Sequence, residues 1–230
     1  MKEAVFIRRV TRFTCEVQLE GKTVPVHLAN TGRLLFLREG ETCLLRPAAS
    51  PARRTAWDLY AAMDRGVPVC VDSIEPNRAA YLVLEKELAA SHPGAVLERE
   101  VTLGDSRLDL LARLPDRLLA VEVKGSTMVR SGISYFPDAP STRAVKHVHH
   151  LRELAEAGHD ARILFIVCRE DAEAFSPEKD IDPAFTEALA EAVRSGVRVN
   201  ALLCRCTWPG LEPVRFLPVL MPGHETTPSN

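Results

Sequence analysis

Short segments of β-branched and aromatic residues dominate about the first 75 residues, and this pattern constrains the fold more than any other feature. Strands are predicted over residues 5–10, 13–19, 23–28, 42–46, 54–63 and 67–72. Several are separated by turn sequences such as Glu20-Gly21-Lys22 and Asp64-Arg65-Gly66. Because five or six strands within this length leave no room for a long helix, we predict a small closed sheet of the OB type.

In the remainder of the chain, predicted helices alternate with predicted strands. Helices are predicted over residues 77–90, 142–157 and 182–195, and strands over 95–103, 106–114, 118–124, 161–168 and 197–207. From residue 209 onward, and above all over residues 222–230, the chain is predicted to be irregular. This order indicates an α/β domain, α+β overall, with helices packed on a mixed sheet. We therefore divide the chain into residues 1–78 and 79–230.

Charge is distributed unevenly between these two parts. Residues 1–78 contain 12 Lys and Arg against 9 Asp and Glu, whereas the remainder contains 17 against 22, so the parts carry +3 and −5. The overall charge of −2 argues against a polycationic DNA coat. A basic binding module joined to an acidic catalytic module fits the asymmetry, and so does chance variation.

Membrane and secretory classes are disfavoured. No apolar run reaches the ~20 residues that cross a bilayer, and charges interrupt the apolar residues of the N-terminus. We expect a cytoplasmic protein without a membrane partner. Six cysteines lie mostly in apolar stretches without CxxC spacing, which predicts reduced core thiols.

The sharpest chemical pattern is an aspartate followed at a distance by Glu-x-Lys. Asp109 lies in one predicted strand, and Glu122 and Lys124 share one face of the next. If these strands form a hairpin, Asp109 and Glu122 converge as hard oxygen ligands for Mg²⁺ or Mn²⁺, and Lys124 serves the scissile phosphate or the attacking water. An ordinary strand with Glu122 and Lys124 in solvent fits the same alternation.

Neighbouring helices offer further candidates. Glu85 or Glu87 would be a further metal ligand or hydrogen-bond acceptor. Glu85 is the better candidate because it is predicted on the apolar-periodic face with Tyr81, Leu82 and Leu88, and a solvated position of either residue is the alternative. The helix from residue 142 begins with three basic residues near its N-terminus, a position that favours phosphate. These candidates for phosphate contact are Arg143, Lys146 and His147. A zinc site is disfavoured because His147, His149 and His150 lack the i, i+4 spacing.

The N-terminal part offers a basic and aromatic surface. Its candidate phosphate ligands are Arg8, Arg9, Arg12, Arg53 and Arg54. Phe13, Trp57 and Tyr60 are the nearby aromatic residues, and OB folds that bind single strands combine such cations with base stacking. Core positions for Phe13 and Trp57 are the alternative.

The chain resembles the sugar fermentation stimulation protein family, SfsA. The segments that carry the resemblance run in order: RRVTRF at 8–13, VHLANTGRL at 26–34, RRTAWDL at 53–59, PN at 76–77, SRLDLLA at 106–112, VEVKGST at 121–127, FPDAPSTRAVKHVHHL at 136–151 and DPAF at 182–185. The resemblance implies an OB-like N-terminal half and a C-terminal half similar to the PD-(D/E)xK nucleases, whose acidic pair and lysine fall on Asp109, Glu122 and Lys124.

Two functions follow as expectations. The first is a metal-dependent nuclease that binds nucleic acid, in the first place DNA, through the OB-like module, with Arg33 of the NTGR segment among the contacts. The second is a non-catalytic DNA-binding regulator of sugar-utilisation genes that retains the acidic site as a relic. A single sequence does not define the oligomeric state, and a homodimer is one candidate.

Overall fold

The N-terminal part forms a closed five-stranded barrel in the computed structural model, which describes residues 1–50, 52–104 and 106–221. Its strands are β1 (Lys2–Thr11), β2 (Thr14–Leu19), β3 (Lys22–His27), β4 (Thr42–Pro47) and β5 (Trp57–Asp64), and β6 (Val67–Cys70) extends the sheet beyond β5. A parallel pairing of His27 with Asp58 joins β3 to β5 and closes the barrel. The predicted OB-like module is confirmed.

The second part is a six-stranded mixed sheet. It contains β7 (Leu97–Leu103), β8 (Ser106–Arg113), β9 (Leu118–Ser126), β12 (Asp160–Val167), β14 (Arg198–Cys206) and β15 (Leu211–Leu217). The spatial order is β15-β14-β12-β9-β8-β7, with β12 parallel to both β9 and β14. The interior of β12 is apolar on both faces because each face packs against a separate hydrophobic cluster.

Three helices cover this sheet. They are α1 (Glu75–Ser91), α2 (Thr142–Glu156) and α3 (Pro183–Arg194). Ser141 caps α2 by accepting a hydrogen bond from the Ala144 N–H at 3.1 Å, and Asp182 caps α3 by accepting one from Phe185 at 3.0 Å. Within the described residues, no helix has the length and apolar character that a membrane crossing requires.

The structure adds strands that the sequence pattern did not predict. Three short ones, β10 (Met128–Arg130), β11 (Ile133–Phe136) and β13 (Ala174–Pro177), form a separate small sheet. The prediction of irregular chain from residue 209 was wrong for β15, which pairs with β14. Only Leu211 and Leu217 of β15 are buried and Pro213 interrupts it, as suits an edge strand. Residues 222–230 lie outside the described residues.

Buried ionic and backbone contacts join the two parts. Arg169, only 3% exposed, bridges Asp64 of the barrel at 2.7 Å and Asp171 at 2.6 Å. The Tyr60 hydroxyl donates to the Thr207 carbonyl at 2.6 Å. All six cysteines are free, and five of them are buried, as predicted for core thiols.

Candidate functional site

The β8–β9 hairpin places the predicted carboxylates side by side. Leu110 pairs with Val121, so the next residues on each strand, Asp109 and Glu122, are neighbours across the ladder. The Val123 backbone N–H donates to Asp109 Oδ2 at 2.8 Å. The hairpin therefore fixes the position of Asp109 through the strand that carries Glu122 and Lys124.

Glu122 is a buried carboxylate that is paired through one of its oxygens, rather than a solvated strand residue. It is 2% exposed, and both the Lys124 ammonium and the His147 imidazole contact its Oε1 atom. The alternative of an ordinary strand with a solvated face is wrong for Glu122. A charge at this depth requires partners, and Lys124 and His147 provide them.

The two carboxylates differ in their electrostatics. Burial and the neighbouring charge of Glu122 raise the pKa of Asp109, and the Val123 N–H only partly opposes them. Burial also acts to raise the pKa of Glu122, but His147 and Lys124 outweigh it and hold that pKa below its usual value. Glu122 is thus the stable anion, and Asp109 is the carboxylate that gains most from an added cation.

Helix α1 contributes a residue that the sequence pattern did not single out. The Asn77 side-chain amide donates to Asp109 Oδ1 at 3.4 Å. Its own Oδ1 is buried and has no hydrogen-bond partner among the described residues. A Pro-Asn pair at a helix start indicates the helix boundary only, so no local pattern could have connected Asn77 with Asp109.

Glu85 lies elsewhere than predicted. Both Glu85 and Leu82 are exposed, and Glu85 accepts a hydrogen bond from the Tyr81 hydroxyl at 2.9 Å. Because α1 buries the face of Ala80, Leu84 and Leu88, Glu85 points away from the sheet and joins no contact with the acidic pair in the described structure.

The oxygens of Asp109 and Glu122 suit a hard divalent cation. Mg²⁺ keeps several waters and is often bound through one or two carboxylates, so two acidic side chains meet its needs. The raised pKa of Asp109 and the unpartnered Asn77 oxygen both fit an added cation here. Within the described ranges, no cluster of three or more His, Cys, Asp or Glu side chains suited to a metal occurs, so the candidate ligands from the protein are these two carboxylates.

A cleft of about 490 Å³ opens between the barrel and the mixed-sheet domain. Its walls bring together two segments that are distant in sequence, residues 30–32 and residues 135–141. Asp138 joins them by accepting from the Arg33 N–H at 2.8 Å. A Cβ at Gly32 would lie 2.6 Å from Asp138 Oδ2, so a larger residue would displace the Asp138 carboxylate that accepts from Arg33.

The basic residues of α2 divide between two surfaces. Arg143 lines the cleft and donates from Nε to His147 Nε2 at 3.4 Å. The other ring nitrogen of His147, Nδ1, contacts Glu122. Lys146 instead lines a separate depression with His149 and His150. The three predicted phosphate contacts of α2 therefore do not share one surface, because Arg143 and His147 contact each other beside the cleft, whereas Lys146 lines the separate depression.

Three of the predicted arginines of the barrel are engaged in internal contacts. Arg8 pairs with Glu16 at 2.8 Å, and Arg53 pairs with Asp58 at 2.9 Å. Arg9 donates to the Gly32 carbonyl at 2.7 Å. These contacts hold barrel strands and the 30–32 segment in place.

Three other predicted arginines, Arg12, Arg33 and Arg54, are exposed, and none of them forms an ion pair within the described structure. Arg12 lines the cleft. Of the aromatic candidates, Phe13 is 45% exposed, whereas Tyr60 is fully buried and Trp57 packs against the barrel core.

Comparison with known proteins gives consistent matches over the chain. A model described as the SfsA N-terminal OB domain matches residues 7–71, and one described as the sugar fermentation stimulation protein RE domain matches residues 74–209. A sugar fermentation stimulation protein homolog of Alkaliphilus metalliredigens is 41% identical over 206 residues, covering 88% of this chain and 89% of the relative. The homolog of Carboxydothermus hydrogenoformans is 37% identical over 221 residues, with 95% and 96% covered.

A solved structure is similar over almost the whole length. It is described as Pyrococcus furiosus SfsA in complex with Ca²⁺, and it matches with a TM-score of 0.86 and 31% identity over 95% of each chain.

Proposed function

The chain belongs to the sugar fermentation stimulation protein family, and we propose that it binds nucleic acid and hydrolyses phosphodiester bonds with a divalent metal ion. The observation that carries this proposal is the cluster that buried Glu122 forms with half-buried Asp109 and Lys124 on one hairpin. These are the acidic pair and the lysine that the resemblance to PD-(D/E)xK nucleases implies. A merely structural hairpin would not need two adjacent carboxylates, one of them with a raised pKa.

Each side chain has a role in this proposal. Asp109 and Glu122 would hold Mg²⁺ or Mn²⁺, which when bound activates water and offsets charge on the phosphate. Asn77 and the Val123 N–H orient Asp109. Lys124, which contacts Glu122 in this structure, would contact the scissile phosphate, and the hydrogen bond with His147 helps to lower the pKa of Glu122.

A relative supports the choice of cation. The Pyrococcus furiosus protein has been solved in complex with Ca²⁺, which prefers oxygen ligands as Mg²⁺ and Mn²⁺ do. The carboxylate pair of this chain provides such ligands without sulfur or several imidazoles. We expect Mg²⁺ or Mn²⁺ to support hydrolysis and Ca²⁺ to occupy the same residues.

The cleft supports nucleic acid as the substrate. Arg12 contributes to it from the barrel and Arg143 from α2, and within the described residues neither arginine is neutralised by an ion pair. Arg143 contacts His147, which contacts Glu122, so the cleft adjoins the acidic cluster. A phosphate backbone in the cleft would meet both arginines on the way to the carboxylates.

One observation favours the second candidate, a DNA-binding regulator without catalysis. Lys124 and His147 already hold the pKa of Glu122 below its usual value, so the cluster is electrostatically tolerable without a metal. The regulator would bind DNA with the same affinity in Mn²⁺ and in EDTA and would leave it intact.

Incubation of the pure protein with end-labelled DNA and RNA, each single- and double-stranded, separates these functions. The nuclease cleaves at least one substrate in Mn²⁺ and none in EDTA. Binding without cleavage under both conditions would refute the nuclease and support the regulator. Absence of binding to all four substrates would refute both.

A further inference from the structure

Phe13 is an exposed aromatic residue in a defined setting. It follows β1 in the turn to β2 and is 45% exposed. Its ring stacks on His27 with centroids 6.3 Å apart and planes inclined by 27°. On the same ring, the Arg12 guanidinium lies 5.4 Å from the centroid. The three side chains form a small cationic and aromatic surface, which we call the Phe13 platform.

The backbone around the Phe13 platform is tied down. The Leu28 N–H donates to the Phe13 carbonyl at 3.0 Å, which continues the β2–β3 pairing past His27. Arg9 donates to the Arg12 carbonyl and to the Gly32 carbonyl, each at 2.7 Å. Because Gly32 lines the cleft, Arg9 connects the platform rigidly with the cleft wall.

Arg12 belongs to both the platform and the cleft. Its guanidinium lies over the Phe13 ring, and the residue also lines the cleft, as Arg143 does. From Arg143 the contacts lead through His147 to Glu122. Shared cleft lining and side-chain contacts therefore connect an aromatic surface, two arginines that form no ion pair within the described residues, and the acidic cluster, and we call this connection the route.

We propose that this route binds single-stranded nucleic acid, with an unpaired base stacked on Phe13 and the adjoining phosphates against Arg12 and Arg143. The inference rests on the proposed function and specifies its substrate class. An aromatic ring accepts the face of a base, and in a duplex these faces are occupied by the neighbouring base pairs. The Phe13 platform consequently favours single strands, overhangs or loops over a continuous duplex.

Fluorescence anisotropy in EDTA tests this inference while excluding metal-dependent cleavage. The probes are a fluorescein-labelled 12-nucleotide oligothymidylate and a 12-base-pair DNA duplex. The variants are Phe13→Ala and Phe13→Trp, with Phe216→Ala as the matched control, since Phe216 is 46% exposed on β15. A thermal melt of each variant verifies that the fold is retained.

Phe13→Ala should weaken binding of the single strand by about five- to 140-fold, the equivalent of about 1–3 kcal/mol per stacked base at 1.4 kcal/mol per tenfold. Phe13→Trp should retain the affinity, and Phe216→Ala should not change it. Duplex affinity should be weaker in the wild type and insensitive to Phe13→Ala.

Three outcomes would overturn the inference. They are equal binding of the single strand by wild type and Phe13→Ala, equal losses for both probes, and no binding of the single strand by wild type. Cleavage of a duplex in Mn²⁺ alongside any of these would leave the proposed nuclease intact, because that activity depends on Asp109, Glu122 and Lys124. The two proposals can therefore fail separately.

Discussion

Replacement of Asp109 by asparagine should stabilise the metal-free protein slightly at neutral pH and abolish its stabilisation by metal. Burial and the charge of Glu122 raise the pKa of Asp109 in the folded state. The contribution of Asp109 to the free energy of unfolding is therefore fully present at pH values below its pKa in the unfolded chain. This contribution is lost as the pH rises through its pKa in the folded protein. At neutral pH the ionised Asp109 opposes folding. The neutral amide of the Asp109→Asn variant would remove that cost, while its carbonyl oxygen could still accept from the Val123 N–H.

The metal-dependent part can be given a magnitude. A ligand present at 100 times its Kd stabilises the folded state by about 2.7 kcal/mol. At about 2–4 °C per kcal/mol for a protein of this size, the wild-type Tm should rise by about 5–10 °C in saturating Mn²⁺. Asp109→Asn should show almost none of this rise.

Differential scanning fluorimetry in EDTA and across a Mn²⁺ titration measures both effects. A second series from pH 7 down to pH 4 should bring the Tm values of the two metal-free proteins together as Asp109 becomes protonated. An equal Mn²⁺ shift in both proteins would place the metal away from Asp109. A metal-free Asp109→Asn variant that is less stable than the metal-free wild type at pH 7 would refute the electrostatic argument.

Three further predictions concern other residues. Arg169→Ala should lower the free energy of unfolding, measured by urea titration, by about 3–5 kcal/mol, because it leaves the partly buried Asp64 and Asp171 unpaired. A loss below about 1 kcal/mol would contradict this prediction. Cys206 should be the first cysteine that iodoacetamide alkylates, as measured by peptide mass spectrometry. The hydrogen bond with the Cys70 thiol lowers the pKa of Cys206, whereas burial raises the pKa values of the other described core thiols. Uniform labelling of the cysteines would contradict this prediction. Replacement of Arg12 or Arg143 by alanine should reduce the slope of log nucleic-acid affinity against log salt concentration by roughly 0.7–0.9 each. Arg53→Ala should leave the slope unchanged, because Arg53 is paired with Asp58. Equal slopes for all three variants would refute the proposed route.

The periodicity of apolar residues was sufficient to predict those helices and strands whose own sequence carries a clear pattern. The barrel, the three helices and the hairpin of β8 and β9 follow from alternating apolar residues and clear turn or capping signals such as Asp182-Pro183. β15 was missed because its exposed residues and Pro213 resemble irregular chain, and only pairing with β14 makes it a strand.

The site was predictable only in part for a related reason. Asp109, Glu122 and Lys124 lie on one hairpin, so local register brings them together. Asn77 and His147 reach the cluster from helices whose packing no local pattern specifies. Helical phase was equally decisive, since it directs Glu85 to solvent and separates Lys146 from Arg143.

The most direct test of the proposed function is cleavage of labelled DNA in Mn²⁺ by wild type and Glu122→Gln purified in parallel. Glutamine retains the size of Glu122 but removes the charge that would hold the metal. The rate should fall by about 10²–10³-fold, as for the loss of one positioned electrostatic contact, while binding in EDTA persists. A contaminating nuclease would act equally in both preparations. Equal degradation by the two proteins would contradict the account.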